Sequence, residues 1–280
     1  MFSKEVLLSL NRPARYINHE LNTYHRNPED VKLKFCLAYP DIYEIGMSNL
    51  GFRIIYDLIN QDNEVLCERA FLPWRDLEMY LRKNNFALSS LESFIPLYAF
   101  DILGISIQTE LNYAGVLNLL NLGKIPLLSK ERTKNFPLIL AGGSSCFNPE
   151  PLADFIDLFV IGEGEEVITE ILRICKNREK QIKDKKGKEE LLIELANLEG
   201  VYVPSLYSVE YHQDGRIKEF SPLFPNLPKK IKKRIVLDLD NAYFPTKTLV
   251  PYIKIVHDRI GIEIMRGCPH SCRFCQARNI

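Results

Sequence analysis

Apolar positions fall into two alternating patterns over the first two thirds of the chain. Short, nearly unbroken apolar runs predict strands at Leu33–Tyr39, Val65–Phe71, Asp101–Gln108, Pro137–Ala141 and Leu158–Ile161. Stretches of helical period lie between them. One runs from Asn49 to Asn60 with Leu50, Ile54, Ile55 and Leu58 on one face, and another runs from Trp74 to Lys83. A third, from about Leu111 to Leu122, is stopped by Gly123, and a fourth leaves the turn Gly162-Glu163-Gly164 and ends near Cys175. Strands this apolar are buried on both faces, as in a parallel sheet covered by helices. The alternation predicts a doubly wound parallel-sheet α/β domain over 31–176, preceded by a helical segment over 1–30.

The pattern then changes. Residues 176–190 are densely charged with both signs mixed, which reads as a solvated helix or linker. Tyr207–Tyr211 and Arg216–Phe220 flank Gln213-Asp214-Gly215, the signature of a β-hairpin. Pro222, Pro225 and Pro228 make an extended connector, so 177–250 reads as linker plus hairpin. The run Lys229-Lys230-Ile231-Lys232-Lys233-Arg234 reads as a surface face, with RNA contact as the alternative. No internal repeat is visible.

Composition narrows the class. The 280 residues are 46% hydrophobic, enough for a real core, and 36 basic residues balance 36 acidic ones, so nothing global favours nucleic acid or an anionic membrane. No apolar run approaches the ~20 residues a spanning helix needs, and the N-terminus has no signal-peptide pattern. The expectation is a cytoplasmic protein without a membrane partner.

Seven cysteines are present. Cys36, Cys67 and Cys175 lie in apolar stretches and read as core residues, while Cys146 falls in a loop. Cys268, Cys272 and Cys275 form C-x3-C-x2-C directly after the strand-like run Ile260–Met265. Three thiolates can hold three irons of a cubane cluster and leave the fourth iron open, whereas a cluster built for electron transfer normally has four cysteines. An open coordination site serves catalysis, by the logic that separates catalytic from structural zinc. Gly267 allows close backbone approach to a cluster, and Pro269 restrains the loop. The competing reading is a zinc site with His270 or Cys146 as fourth ligand.

With an aromatic residue before its third cysteine, this motif resembles the signature of the radical S-adenosylmethionine (SAM) superfamily. The resemblance implies a [4Fe-4S] cluster on Cys268, Cys272 and Cys275, with SAM chelated by the open iron. It further implies adenine near the backbone of Phe274, a ferredoxin- or flavodoxin-type reductant, and hydrogen abstraction by a 5′-deoxyadenosyl radical. The strand Gly261–Met265 would open a (β/α) barrel over 251–280, with the cluster loop at its C-terminal end. Upstream, Leu140-Ala141-Gly142-Gly143, Asn148-Pro149-Glu150-Pro151 and Ile161-Gly162-Glu163-Gly164-Glu165 resemble the cobalamin-binding-type domain of one radical SAM branch. The run from Tyr39 to Gly51 resembles a particular subgroup of that branch. In that reading Gly142, Gly143, Gly162, Glu163 and Gly164 line the cofactor site.

One position departs from the pattern. Where cobalamin domains carry Asp-x-His-x-x-Gly, this chain has Asp41-Ile42-Tyr43-Glu44-Ile45-Gly46, so Tyr43 stands in the slot of the lower-ligand histidine. A phenol replaces imidazole poorly toward cobalt. Cobalamin is therefore a possible but doubtful cofactor, and a radical SAM protein using none is the alternative, as is a zinc- or RNA-binding α/β protein. Because the chain ends five residues after Cys275, an incomplete barrel unable to finish SAM chemistry is expected. The substrate is open, with methyl or methylthio transfer among the options. No catalytic residue is assigned, Asp154 and Asp157 read as solvated loop carboxylates, and His19, His25, His212 and His257 are scattered without ligand spacing.

Overall fold

β1 (Leu33–Tyr39) and β2 (Val65–Phe71) are the strands that the apolar runs predict, and they pair in parallel from Leu33↔Val65 to Tyr39↔Phe71. Six strands make one sheet, described here in a computed structural model that covers residues 2–18 and 20–279. His19 lies outside the described residues. The chain begins with α1 (Lys4–Ser9), capped by Ser3, and a 3₁₀ turn at Pro13–Tyr16. Among the described residues it then runs without further helix to β1.

α2 (Tyr43–Gly46) and α3 (Leu50–Asn60) follow β1, and α4 (Arg75–Lys83) follows β2. The Asn49 side chain caps α3 by accepting from the Phe52 N–H at 2.8 Å. β3 (Ile102–Ser106) leads into α5 (Tyr113–Leu122), which Gly123 ends, and then come β4 (Leu138–Gly142) and β5 (Leu158–Val160). α6 (Glu165–Asn177) starts with Glu165 and Glu166, favourable charges at a helix N-terminus. With the short strand β6 (Val201–Tyr202) at the far edge, the strand order is β2-β1-β3-β4-β5-β6, parallel except for the last pair. α3 and α6 pack together, as do α4 and α5.

The charged stretch after α6 is more ordered than its composition suggests. It forms α7 (Glu179–Ile182) and α8 (Lys185–Leu195), and α8 buries Leu191, Leu192 and Leu195. Lys188 is buried too, and its Nζ donates to Asp157 at 2.9 Å. Asp157 also accepts from Arg132 and from the Ile139 N–H, so it is an internal anchor and not a solvated loop carboxylate. Asp154 is exposed, as expected. β6 (Val201–Tyr202) then adds an antiparallel edge, a two-residue element too short for pattern reading.

β7 (Tyr207–Tyr211) and β8 (Ile217–Pro222) form the predicted hairpin, with Gly215 at φ 82° in its turn. Tyr207 stacks on Phe220 with centroids 4.8 Å apart, and both rings meet Tyr202 on the sheet edge. Residues 251–279 contain no strand. Ile260, Ile262 and Ile264, expected in a barrel strand, are 88, 74 and 84% exposed. A strand needs a hydrogen-bonding neighbour, and among the described residues none pairs with this segment. No helix among the described residues is long and apolar enough to cross a membrane.

Candidate functional site

The chain adds β2 on one side of β1 and β3 on the other, so the topology switches between β1 and β3. Open α/β sheets place ligands at the carboxyl ends of strands flanking such a point. A cavity of about 300 Å³ lies there. Its floor follows from period-2 alternation: Phe35 and Leu37 of β1, Gly104 and Ser106 of β3, Leu140 and Gly142 of β4, and Val160 and Gly162 at β5 all face one side. Ile54 and Ile55 of α3 and Ile168 of α6 close the opposite wall.

Two glycines form the rim because no other residue fits. Gly143 has φ 112°, and a Cβ there would run into the Ile107 carbonyl oxygen. Gly162 has φ 104°, and a Cβ there would run into the Arg234 carbonyl oxygen, since the backbone at Arg234 pairs with this turn as a short parallel bridge. Arg234 donates to the Ile161 carbonyl at 2.9 Å and accepts from the Glu163 N–H at 3.0 Å. Its guanidinium reaches Glu166 and Glu170, and Lys232 pairs with Glu199. Much of the basic run Lys229–Arg234 is thus spent on α6 and the loop before β6; Lys229 and Lys230 are exposed.

The cavity mouth is built around Arg266, the residue just before Gly267-Cys268. Its guanidinium pairs with Glu263 at 2.8 Å, with Glu165 in close contact, and with Glu163 at 3.3 Å. Hydrogen bonds that it donates to Glu263 and Glu165 raise its pKa further above the ordinary range. Even so, Nη1 is buried without a hydrogen bond. Glu163 also accepts from the Val236 N–H. Of these groups, pattern reading singled out Glu163 but not Glu165, Glu263 or Arg266. The available signal was adjacency, since Arg266 abuts the cysteine motif and Glu165 extends Gly162-Glu163-Gly164.

Gly142, Gly143, Gly162, Glu163 and Gly164, the residues expected at the cofactor site, all line this cavity. Tyr43 does not. It is 3% exposed, its hydroxyl donates to Glu20, and it packs on Phe71. Burial and the Glu20 carboxylate push its pKa well up, so the phenol is no source of phenolate. The neighbouring spacing has local causes: Asp41 accepts from the Ile42 N–H, and Gly46 gives the Phe71 ring room that a Cβ would fill. The Tyr43 slot offers cobalt no ligand.

Cys268 is partly exposed, while Cys272 and Cys275 are exposed, and the Cys275 N–H donates to the Cys272 carbonyl at 3.1 Å in a turn. Among the described residues no three His, Cys, Asp or Glu side chains stand together as a metal site, so the three sulfurs are not gathered. Their chemistry nevertheless fits a cluster, with three accessible thiols on one short loop. Phe274 is 93% exposed and is not among the residues that line the switch-point cavity. Cys146 is buried and burial pushes its thiol up to about 12, while His270 is exposed. Cys36, Cys67 and Cys175 are buried as expected.

Fold and site together define an α/β domain with a switch-point cavity, followed by a three-cysteine segment anchored at the cavity mouth. Residues 51–204 match the family described as radical SAM proteins, N-terminal, and the chain belongs to that family. It is also 26% identical over 249 residues to an uncharacterized protein of Methanocaldococcus jannaschii, a match covering 87% of this chain. The chain spans 41% of that relative's length. No solved structure matches.

Proposed function

We propose that this chain supplies the N-terminal α/β domain and the cluster loop of a radical SAM enzyme. Cys268, Cys272 and Cys275 would hold a [4Fe-4S] cluster whose open iron binds SAM. The observation that carries the reading is three accessible thiols at C-x3-C-x2-C, joined through Arg266 to a domain of the radical SAM family. When bound, such a centre supplies one-electron reduction of SAM and a carbon radical for hydrogen abstraction. The chain's own residues do the positioning. Arg266, held by Glu163, Glu165 and Glu263, fixes where the loop leaves the α/β domain, and Gly267 at φ 76° turns it immediately afterwards. An external one-electron donor of the ferredoxin or flavodoxin kind would be required.

Cobalamin does not fit as a cofactor held through the Tyr43 position. The substrate, RNA included, belongs to the whole enzyme. The test is anaerobic reconstitution followed by metal and sulfide analysis. About four irons with matching sulfide per chain, falling to background in a Cys268→Ser/Cys272→Ser/Cys275→Ser variant, is the expected result. One zinc per chain without sulfide would reject the proposal in favour of a zinc site.

A further inference from the structure

The switch-point cavity has a chemical character of its own. Its body is apolar, and Gly142 brings backbone to the surface of the floor, while the Phe35 ring lies over Gly104 and the Arg234 backbone against Gly162. A flat ring can approach such a surface closely. Its mouth carries three carboxylates, Glu163, Glu165 and Glu263, against one guanidinium, Arg266, which is an excess of two negative charges. That balance opposes a phosphate or carboxylate and favours a neutral or cationic group bearing hydroxyl or amino donors. Arg266 Nη1 is buried and faces Glu163 Oε2 at 3.3 Å without a well-formed hydrogen bond, so the ion pair at the mouth leaves this donor poorly satisfied. Ser106 and Gln108 add polar groups at the ends of the floor, with the Gln108 amide held by Ser106 Oγ at 2.9 Å. A volume of about 300 Å³ suits one ring system with a small polar appendage.

We propose that this cavity binds a flat, unphosphorylated heteroaromatic ligand of the nucleoside class. Its ring lies between a floor of Phe35, Leu140 and Gly142 and the wall of Ile54, Ile55 and Ile168. Its hydroxyl or amino donors meet Glu163 and Glu165, and a ring or carbonyl acceptor completes the hydrogen bonding of Arg266 Nη1. This occupant needs no cobalt ligand, in keeping with Tyr43 lying outside the cavity wall. Because Arg266 stands two residues before Cys268, an occupant touching Arg266 also bears on the cluster loop.

The full 280-residue chain is titrated by calorimetry with adenosine, guanosine, cytidine and uridine, each beside its 5′-monophosphate, and with hydroxocobalamin followed by desalting. The expected result is saturable binding of at least one nucleoside, with its monophosphate weaker by about tenfold or more at low salt. In Glu163→Gln/Glu165→Gln, a surface-rim variant, nucleoside affinity falls and the monophosphate penalty shrinks. Ile168→Trp fills the cavity and abolishes binding, with circular dichroism confirming that it folds. Binding of no nucleoside, a monophosphate bound as tightly as its nucleoside, or corrinoid retained after desalting would each overturn the proposal. Iron and sulfide measured on the same preparation report on the cluster reading separately, so the failure of one is distinguishable from the failure of the other.

Discussion

Glu68 and Arg69 sit side by side in the middle of β2, fully buried, in a strand that otherwise reads as apolar. Arg69 is neutralised by Glu20 and Glu92, lies 5.2 Å over the Tyr56 ring and donates to Met47 Sδ at 3.2 Å. Glu68 is less well served: Oε2 accepts from the Ser93 N–H at 3.3 Å, and Oε1 has no partner. Desolvation raises the Glu68 pKa in the folded state, with the Glu92 charge adding to it. The folded protein therefore holds this proton more tightly than the unfolded chain does. Glu68 favours folding below its unfolded pKa, and that contribution is lost as pH rises through the raised folded value. Glu68→Gln, neutral at every pH, should stabilise the protein at pH 7 by about 1 kcal/mol, with the gain vanishing toward pH 4. Urea unfolding at both pH values checks this; equal effects at the two would show that desolvation is not the cause. The sequence showed these charges but not their partners, because Glu20 and Glu92 reach Arg69 from segments far away along the chain.

At the scale of elements, legibility tracked how local the cause was. β1 and β2 run as predicted because side-chain burial on both faces is written into consecutive residues. α3, α5 and α6 follow from the 3.6-residue period together with Asn49 at one end and Gly123 at another. What pattern reading missed depends on distant pairing: β6 needs β5 beside it, and α8 is held by Lys188 meeting Asp157. The glycines expected at the cofactor site were found from the strand-ending turns, whereas the reason for Gly162 is the Arg234 backbone, 72 residues on by the numbering. Gly162→Ala forces a side chain into the φ 104° backbone and against the Arg234 carbonyl. We expect it to destabilise the chain by about 1–3 kcal/mol, with faster amide exchange at Arg234 and Glu163, whose N–H groups cross this bridge. Unchanged exchange there would show that the bridge does not bind the connector to the sheet.

For the molecule as a whole, the seven cysteines divide by environment. Cys36, Cys67, Cys146 and Cys175 are buried with thiols raised by desolvation, while Cys268, Cys272 and Cys275 are reachable from solvent. Mass spectrometry of the native apo-chain with iodoacetamide should find the last three alkylated and the first four untouched until denaturant is added. Early labelling of Cys146 would contradict its burial. The motif itself was legible from sequence because it is local, but the gathering of its three sulfurs is not visible, since ligand assembly and metal binding are coupled. The central claim, a cluster with one iron that no cysteine holds, is tested most directly by Mössbauer spectroscopy of the ⁵⁷Fe-reconstituted chain with and without SAM. The account predicts that SAM shifts the signal of one iron in four and leaves the other three unchanged. A spectrum in which SAM changes no iron, or no cluster signal at all, would contradict it.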